Sequence, residues 1–141
     1  MSQIIEFLTR HWILTSALIA VVTLFILNEI YTRMKGGKRL TPAQAVRLIN
    51  DREPFILDVR SAADFKKGRI IGARNLPLQR LATSMDELPK DKAKPILVCC
   101  MLGSTSSQAC ERLQKAGYTE VYSLAGGINA WQGASMPLTK K

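Results

Sequence analysis

Hydrophobic pattern divides the chain into two unlike parts. From Trp12 to Tyr31 the sequence is apolar almost without interruption, broken only by small hydroxyl residues and by Asn28 and Glu29 near its end. As an α-helix this stretch extends about 30 Å, the thickness of a hydrocarbon core. No polar stripe divides it, which argues against the core helix of a globular domain. Trp12 and Tyr31 stand at the two ends, where amphipathic rings favour the membrane interface. The pattern predicts one transmembrane helix, residues 12–31, after a short N-terminal segment, residues 1–11. A cleaved secretory signal fits less well, because the leader carries Glu6 with few cations and no small-residue cleavage site follows.

From Leu40 onward apolar residues come in short groups. Thr41 and Pro42 read as an N-cap and first helical residue, with Ala45, Val46, Leu48 and Ile49 as the apolar face. Phe55 to Val59 is a short apolar run that suits a strand buried on both faces. Ser61 to Lys67 predicts a brief helix ended by Gly68. Ile96 to Cys99 is a second strand, followed by a loop and a helix from Ser104 to Ala116 with Gly117 as its stop. Glu120 to Leu124 is a third strand, and Gly126 and Gly127 turn the chain into a last helix around Trp131. Strands separated by helices imply an α/β domain, residues 40–138, with a central, mostly parallel sheet and helices on both faces. A basic tail, residues 139–141, follows. Such sheets place ligands at the carboxyl ends of their strands, which directs attention to the strand ending at Cys99.

Composition adjusts this picture in three ways. Apolar residues at 47% and charged residues at 22% describe an ordinary globular mixture and exclude disorder. The net charge of +9 raises nucleic acid as a partner, but the cations are dispersed with few aromatics among them, so none is expected. Residues 32–39 form a basic juxtamembrane linker, made flexible by Gly36 and Gly37. Arg33, Lys35, Lys38 and Arg39 after the span, against Arg10 alone before it, put the domain in the cytoplasm and the N-terminus outside. The same charges could touch anionic headgroups, but setting topology is the simpler role. Three cysteines, including the vicinal pair Cys99 and Cys100, do not form a secreted disulfide framework and fit a reducing compartment.

Candidate chemistry centres on Cys100, at the end of a buried strand with a helix starting a few residues later. A loop of that kind turns successive backbone N–H groups inward, and the helix N-terminus adds partial positive charge. At its centre Cys100 is expected to be the exposed thiol of the three and a nucleophile. It also fits a small buried residue, since no base or cation accompanies it. Cys99 should point the opposite way, into the sheet packing. Cys110 falls in register with Ala109, Leu113 and Ala116, a core position. His11 is solitary and carries no metal site. Gly126, Gly127 and Trp131 read as packing.

The segment LDVRSAADFKKGRIIGARNLPL, Leu57 to Leu78, resembles the signature of rhodanese domains, with Arg69 where a histidine is usual. LAGGINAWQGASMPL, Leu124 to Leu138, is similar to the family's terminal motif. The spacing puts Cys100 where rhodaneses carry their persulfide cysteine, with Gly103 and Ser106 matching the rest of that loop. The resemblance implies a rhodanese-like fold and sulfur transfer through a persulfide on Cys100. It also implies a cradle of N–H groups from Met101, Leu102, Gly103, Ser104 and Thr105, and no metal or organic cofactor. The partners implied are a sulfur donor and a thiol or protein acceptor. Asp58 and Arg60 correspond to a family feature that ties loops together. A membrane helix before one such domain resembles small bacterial inner-membrane proteins.

One departure lies in the loop itself. Thr105 stands where active rhodaneses commonly have arginine, and Met101 and Leu102 replace polar residues. A phosphatase, which needs an arginine to grip phosphate, is thereby excluded. Two readings remain: a membrane-tethered sulfurtransferase weakened toward anionic donors such as thiosulfate, and a non-catalytic adaptor that recruits a protein partner to the membrane.

Overall fold

A computed structural model describes every residue except Gly36, and the side chains of all but residues 32–36; the expected flexibility at Gly36 therefore lies outside the described residues. The chain forms two units, Met1–Met34 and Lys35–Lys141.

In the first unit, α1 (Ser2–Arg10) precedes α2 (Trp12–Lys35), with His11 between them. Helix α1 was not anticipated from sequence, although Ile4, Ile5, Phe7 and Leu8 give it an apolar side at helical spacing. Trp12–Tyr31 within α2 is long and apolar enough to cross a membrane, and none of it is buried by protein.

The second unit is an α/β domain. Its elements are β1 (Lys38–Leu40), α3 (Pro42–Arg52), β2 (Phe55–Asp58), α4 (Ala62–Lys67), β3 (Arg74–Asn75), α5 (Leu78–Leu81), a 3-10 turn (Met85–Glu87), β4 (Ile96–Cys99), α6 (Ser104–Lys115), β5 (Val121–Leu124) and α7 (Gly127–Gly133). The five strands pair in parallel in the order β1-β5-β4-β2-β3. Strand β1 is a correction to the sequence reading: Lys38 and Arg39, expected in the linker, pair with Tyr122 and Ser123 of β5. Lys38–Leu40 has a single apolar residue, so no hydrophobic pattern marks it; the bond from Ala125 N–H to the Leu40 carbonyl at 2.8 Å extends the pairing.

Local chemistry sets the helix ends. Thr41 caps α3 with a reciprocal box, its hydroxyl accepting from Gln44 N–H at 3.3 Å while the Gln44 side-chain oxygen accepts from Thr41 N–H at 3.0 Å. Ser61 caps α4 by accepting from Asp64 N–H.

Side-chain alternation along β4 separates two cores. Ile96 and Val98 pack with Ala109, Cys110 and Leu113 of α6 and with Leu81 of α5. Leu97 and Cys99 pack on the other face with Ala45 and Leu48 of α3 and with Ile128 and Trp131 of α7. The connection leaving β2 runs toward β3, on one side, and that leaving β4 runs toward β5, on the other. Their carboxyl ends, adjacent through the Asp58 and Cys99 pairing, form the point where open parallel sheets bind ligands.

Candidate active site

At that point β4 gives way to Cys100–Gly103, which turns the chain into α6. Gly103 is the N-cap of α6 and adopts φ +92°, a conformation that disfavours any side chain. Its N–H donates to Cys100 Sγ at 2.8 Å. Ser106, fully buried one turn later, donates its hydroxyl to the Gly103 carbonyl at 2.8 Å and fixes the bend. An N–H aimed at sulfur, at the N-terminus of a 12-residue helix, stabilises negative charge there.

Cys100 is not the exposed thiol expected from sequence. It is 3% accessible, because its side chain follows Val98 on the α6 face and packs in the cluster containing Ala109 and Cys110. Among the described residues only Gly103 hydrogen-bonds to the thiol; Ser104 and Thr105 already lie in the first turn of α6, Thr105 half-buried. Met101 and Leu102 form the exposed rim, at 39% and 64% accessibility.

The other two thiols behave as core residues. Cys99 faces the opposite layer, and burial, with Asp58 nearby, pushes its pKa above the ordinary thiol range. Cys110 is pushed up to about 12, first by burial and then by the neighbouring Cys100.

Hydrogen bonds order the chain on both sides of the loop, and those on the β5 side reach the loop itself. Toward β2, Asp58 is fully buried and takes a forked ion pair from Arg60, with guanidinium nitrogens at 3.0 and 2.7 Å from its two oxygens. Arg60 also donates to the Gly68 carbonyl at 2.7 Å, and Asn75 donates to the carbonyls of Asp58 and Arg60. These bonds tie the end of β2 to Gly68 and to β3.

Toward β5, Ile128 N–H donates to the Cys100 carbonyl at 2.8 Å and Asn129 N–H to that of Met101 at 3.2 Å. Gly127, φ +62°, lies so close that a Cβ would collide with both carbonyl oxygens. Gly126 N in turn would lie 3.2 Å from a Cβ on Gly103. The sequence reading took the glycine pair for packing; it is a mould for the cysteine loop. Two consecutive glycines after a strand, at the end where ligands bind, were the available signal.

A family model, the Rhodanese-like domain, matches residues 41–134. The chain belongs to the rhodanese-like family. This rhodanese-like protein is 34% identical to the uncharacterized protein YibN of Escherichia coli, with 99% of each chain covered. It is 34% identical to the thiosulfate sulfurtransferase GlpE of Shewanella oneidensis, over 72% of this chain and 99% of that one. Among solved structures, a rhodanese-related protein of Thermoplasma volcanium superposes with a TM-score of 0.66 at 26% identity, covering 74% of this chain and 99% of its own. No group of three or more His, Cys, Asp or Glu residues able to hold a metal occurs among the described residues.

Proposed function

We propose that this protein is a membrane-tethered sulfurtransferase that carries sulfane sulfur on Cys100. The observation behind the reading is the Gly103 N–H on Cys100 Sγ, at the ligand-binding end of a rhodanese-like sheet. Relatives named sulfurtransferases lend it support. The Cys100 thiolate attacks the outer sulfur of a donor such as thiosulfate, the donor S–S bond breaks, and sulfite leaves with its electron pair. Cys100 then holds a persulfide whose charge the loop N–H groups stabilise. An acceptor thiolate attacks the terminal sulfur and leaves as the new persulfide, returning Cys100 to its starting state. Met101, Leu102, Ser104 and Thr105 shape the loop around this chemistry.

Intact mass after incubation with sulfane sulfur donors tests the reading. A gain of one sulfur, reversed by reductant and mapped to Cys100, is expected. Its absence with every donor favours a non-catalytic adaptor instead, a reading supported by the exposed Met101 and Leu102 at the rim.

For location the reading is a single pass through the inner membrane, with the N-terminus outside and residues 40–138 in the cytoplasm. Arg33, Lys35, Lys38 and Arg39 after the span support it. Protease added to spheroplasts should spare the domain until lysis. Cleavage of the domain in intact spheroplasts would reverse the orientation.

A further inference from the structure

Beside the cysteine loop, on the side of β5, lies an open cleft of about 270 Å³ whose lining includes Arg39, Leu102, Gly103, Ser104, Ser123 and Gly126. Its volume is below the range typical of drug-sized pockets, and suits a small anion or a low-molecular-weight thiol. Three groups of matching chemistry converge on it.

The first is Arg39. Its pairing with Ser123 places both on one face of the sheet, and the pairing of Ser123 with Val98 continues that row to β4. Cys100 lies two residues beyond Val98 on the same face, about 7 Å along the strand direction. Arg39 has no carboxylate partner among the described residues, so its charge is available to a ligand. The second is Ser123, 2% accessible, whose hydroxyl has no hydrogen-bond partner among the described residues although it lines the cleft. The hydroxyl opens onto the cleft, where a ligand oxygen would take its hydrogen bond. The third is the N-terminus of α6, where the N-cap is a glycine and no side chain takes the first N–H groups.

We propose that this cleft is an anion subsite beside Cys100, in which Arg39 and Ser123 hold the oxyanion group of a small sulfur donor or acceptor. A sulfonate-type group would belong to a donor such as thiosulfate, a carboxylate to a small thiol acceptor. Arg39 thus supplies, from the strand nearest the anchor in sequence, the fixed charge that Thr105 does not. The role in sulfur transfer rests on the function proposed above; occupancy of the cleft does not.

The test is a titration of the isotope-labelled full chain in detergent micelles, carrying Cys100→Ala so that no sulfur is transferred. Thiosulfate, sulfate and acetate are the probes, and amide NMR shifts are the readout. Saturable shifts at Gly103, Ser104 and Gly126 are expected, with affinity falling at least tenfold in Arg39→Ala, about threefold or more in Ser123→Ala, and less in Arg39→Lys. Tighter binding of the sulfur oxyanions would assign the subsite to the donor, and tighter binding of acetate to the acceptor. No saturable shift with any probe, or unchanged affinity in an Arg39→Ala protein with native melting, overturns the proposal. Anion binding here together with no persulfide on wild-type Cys100 would leave the subsite standing and remove the sulfurtransferase reading.

Discussion

Replacing Gly127 with alanine should injure the domain far more than the same change at Gly72. Both glycines have positive φ, +62° and +84°, so both substitutions carry the left-handed penalty of about 1 to 2 kcal/mol. At Gly72 nothing lies within 4 Å of the new Cβ, and the cost ends there. At Gly127 the Cβ would stand 2.6 Å from the Met101 carbonyl oxygen and closer still to that of Cys100. Relieving that overlap forces the cysteine loop and the start of α7 apart. Overpacking of this kind adds about 1 to 3 kcal/mol. The bonds from Ile128 and Asn129 N–H, at 2.8 and 3.2 Å, are stretched or lost at about 1 kcal/mol each. The expected total for Gly127→Ala is about 4 to 7 kcal/mol, a large part of the roughly 5 to 15 kcal/mol by which domains of this kind are stable. Urea unfolding of the full chain in detergent, followed by Trp131 fluorescence, provides the comparison. Equal midpoints for the two variants would refute the claim that Gly127 is required by close approach to the loop and not by backbone conformation alone.

Two further outcomes are expected. Wild-type protein should turn thiosulfate over slowly, Thr105→Arg should raise thiocyanate formation by about ten- to a hundredfold if a charge-assisted bond forms in the transition state, and Cys100→Ser should abolish it. An unchanged rate in folded Thr105→Arg would show that the missing arginine does not limit activity; some loss of stability should accompany the change, since Thr105 is half-buried rather than solvent-facing. Alkaline pH should destabilise the domain: folding holds Cys110 as the neutral thiol, so its contribution is complete below the unfolded thiol pKa near 9 and is lost as pH rises toward about 12. The fall in urea midpoint across that window should be shallower in Cys110→Ala, and an identical slope would show that this thiol is not held protonated by folding.

Several elements were determined by the sequence alone, because their signals are local; α1, whose apolar spacing is local too, was not among them. The long apolar helix through Trp12–Tyr31, the capped start of α3, the buried strands β2, β4 and β5, and helix α6 between its glycines all follow from apolar spacing and cap chemistry read along the chain. So did the opposed facing of Cys99 and Cys100, because alternation along a strand admits only one arrangement. Tertiary structure alone decided what depends on neighbours distant in the chain. Lys38–Leu40 is a strand because β5 offers it an edge, not because its own residues favour one. Cys100 is covered because α6 and its loop fold over the α6 face, and burial of a terminal strand residue is a property of what packs above it. Gly127 and Asn75 bear on the site through carbonyls that the chain brings near only once the sheet has closed. Arg39 and Ser123, 84 residues apart, meet in one cleft through parallel pairing, a relation that register in the folded sheet creates and no window of sequence contains.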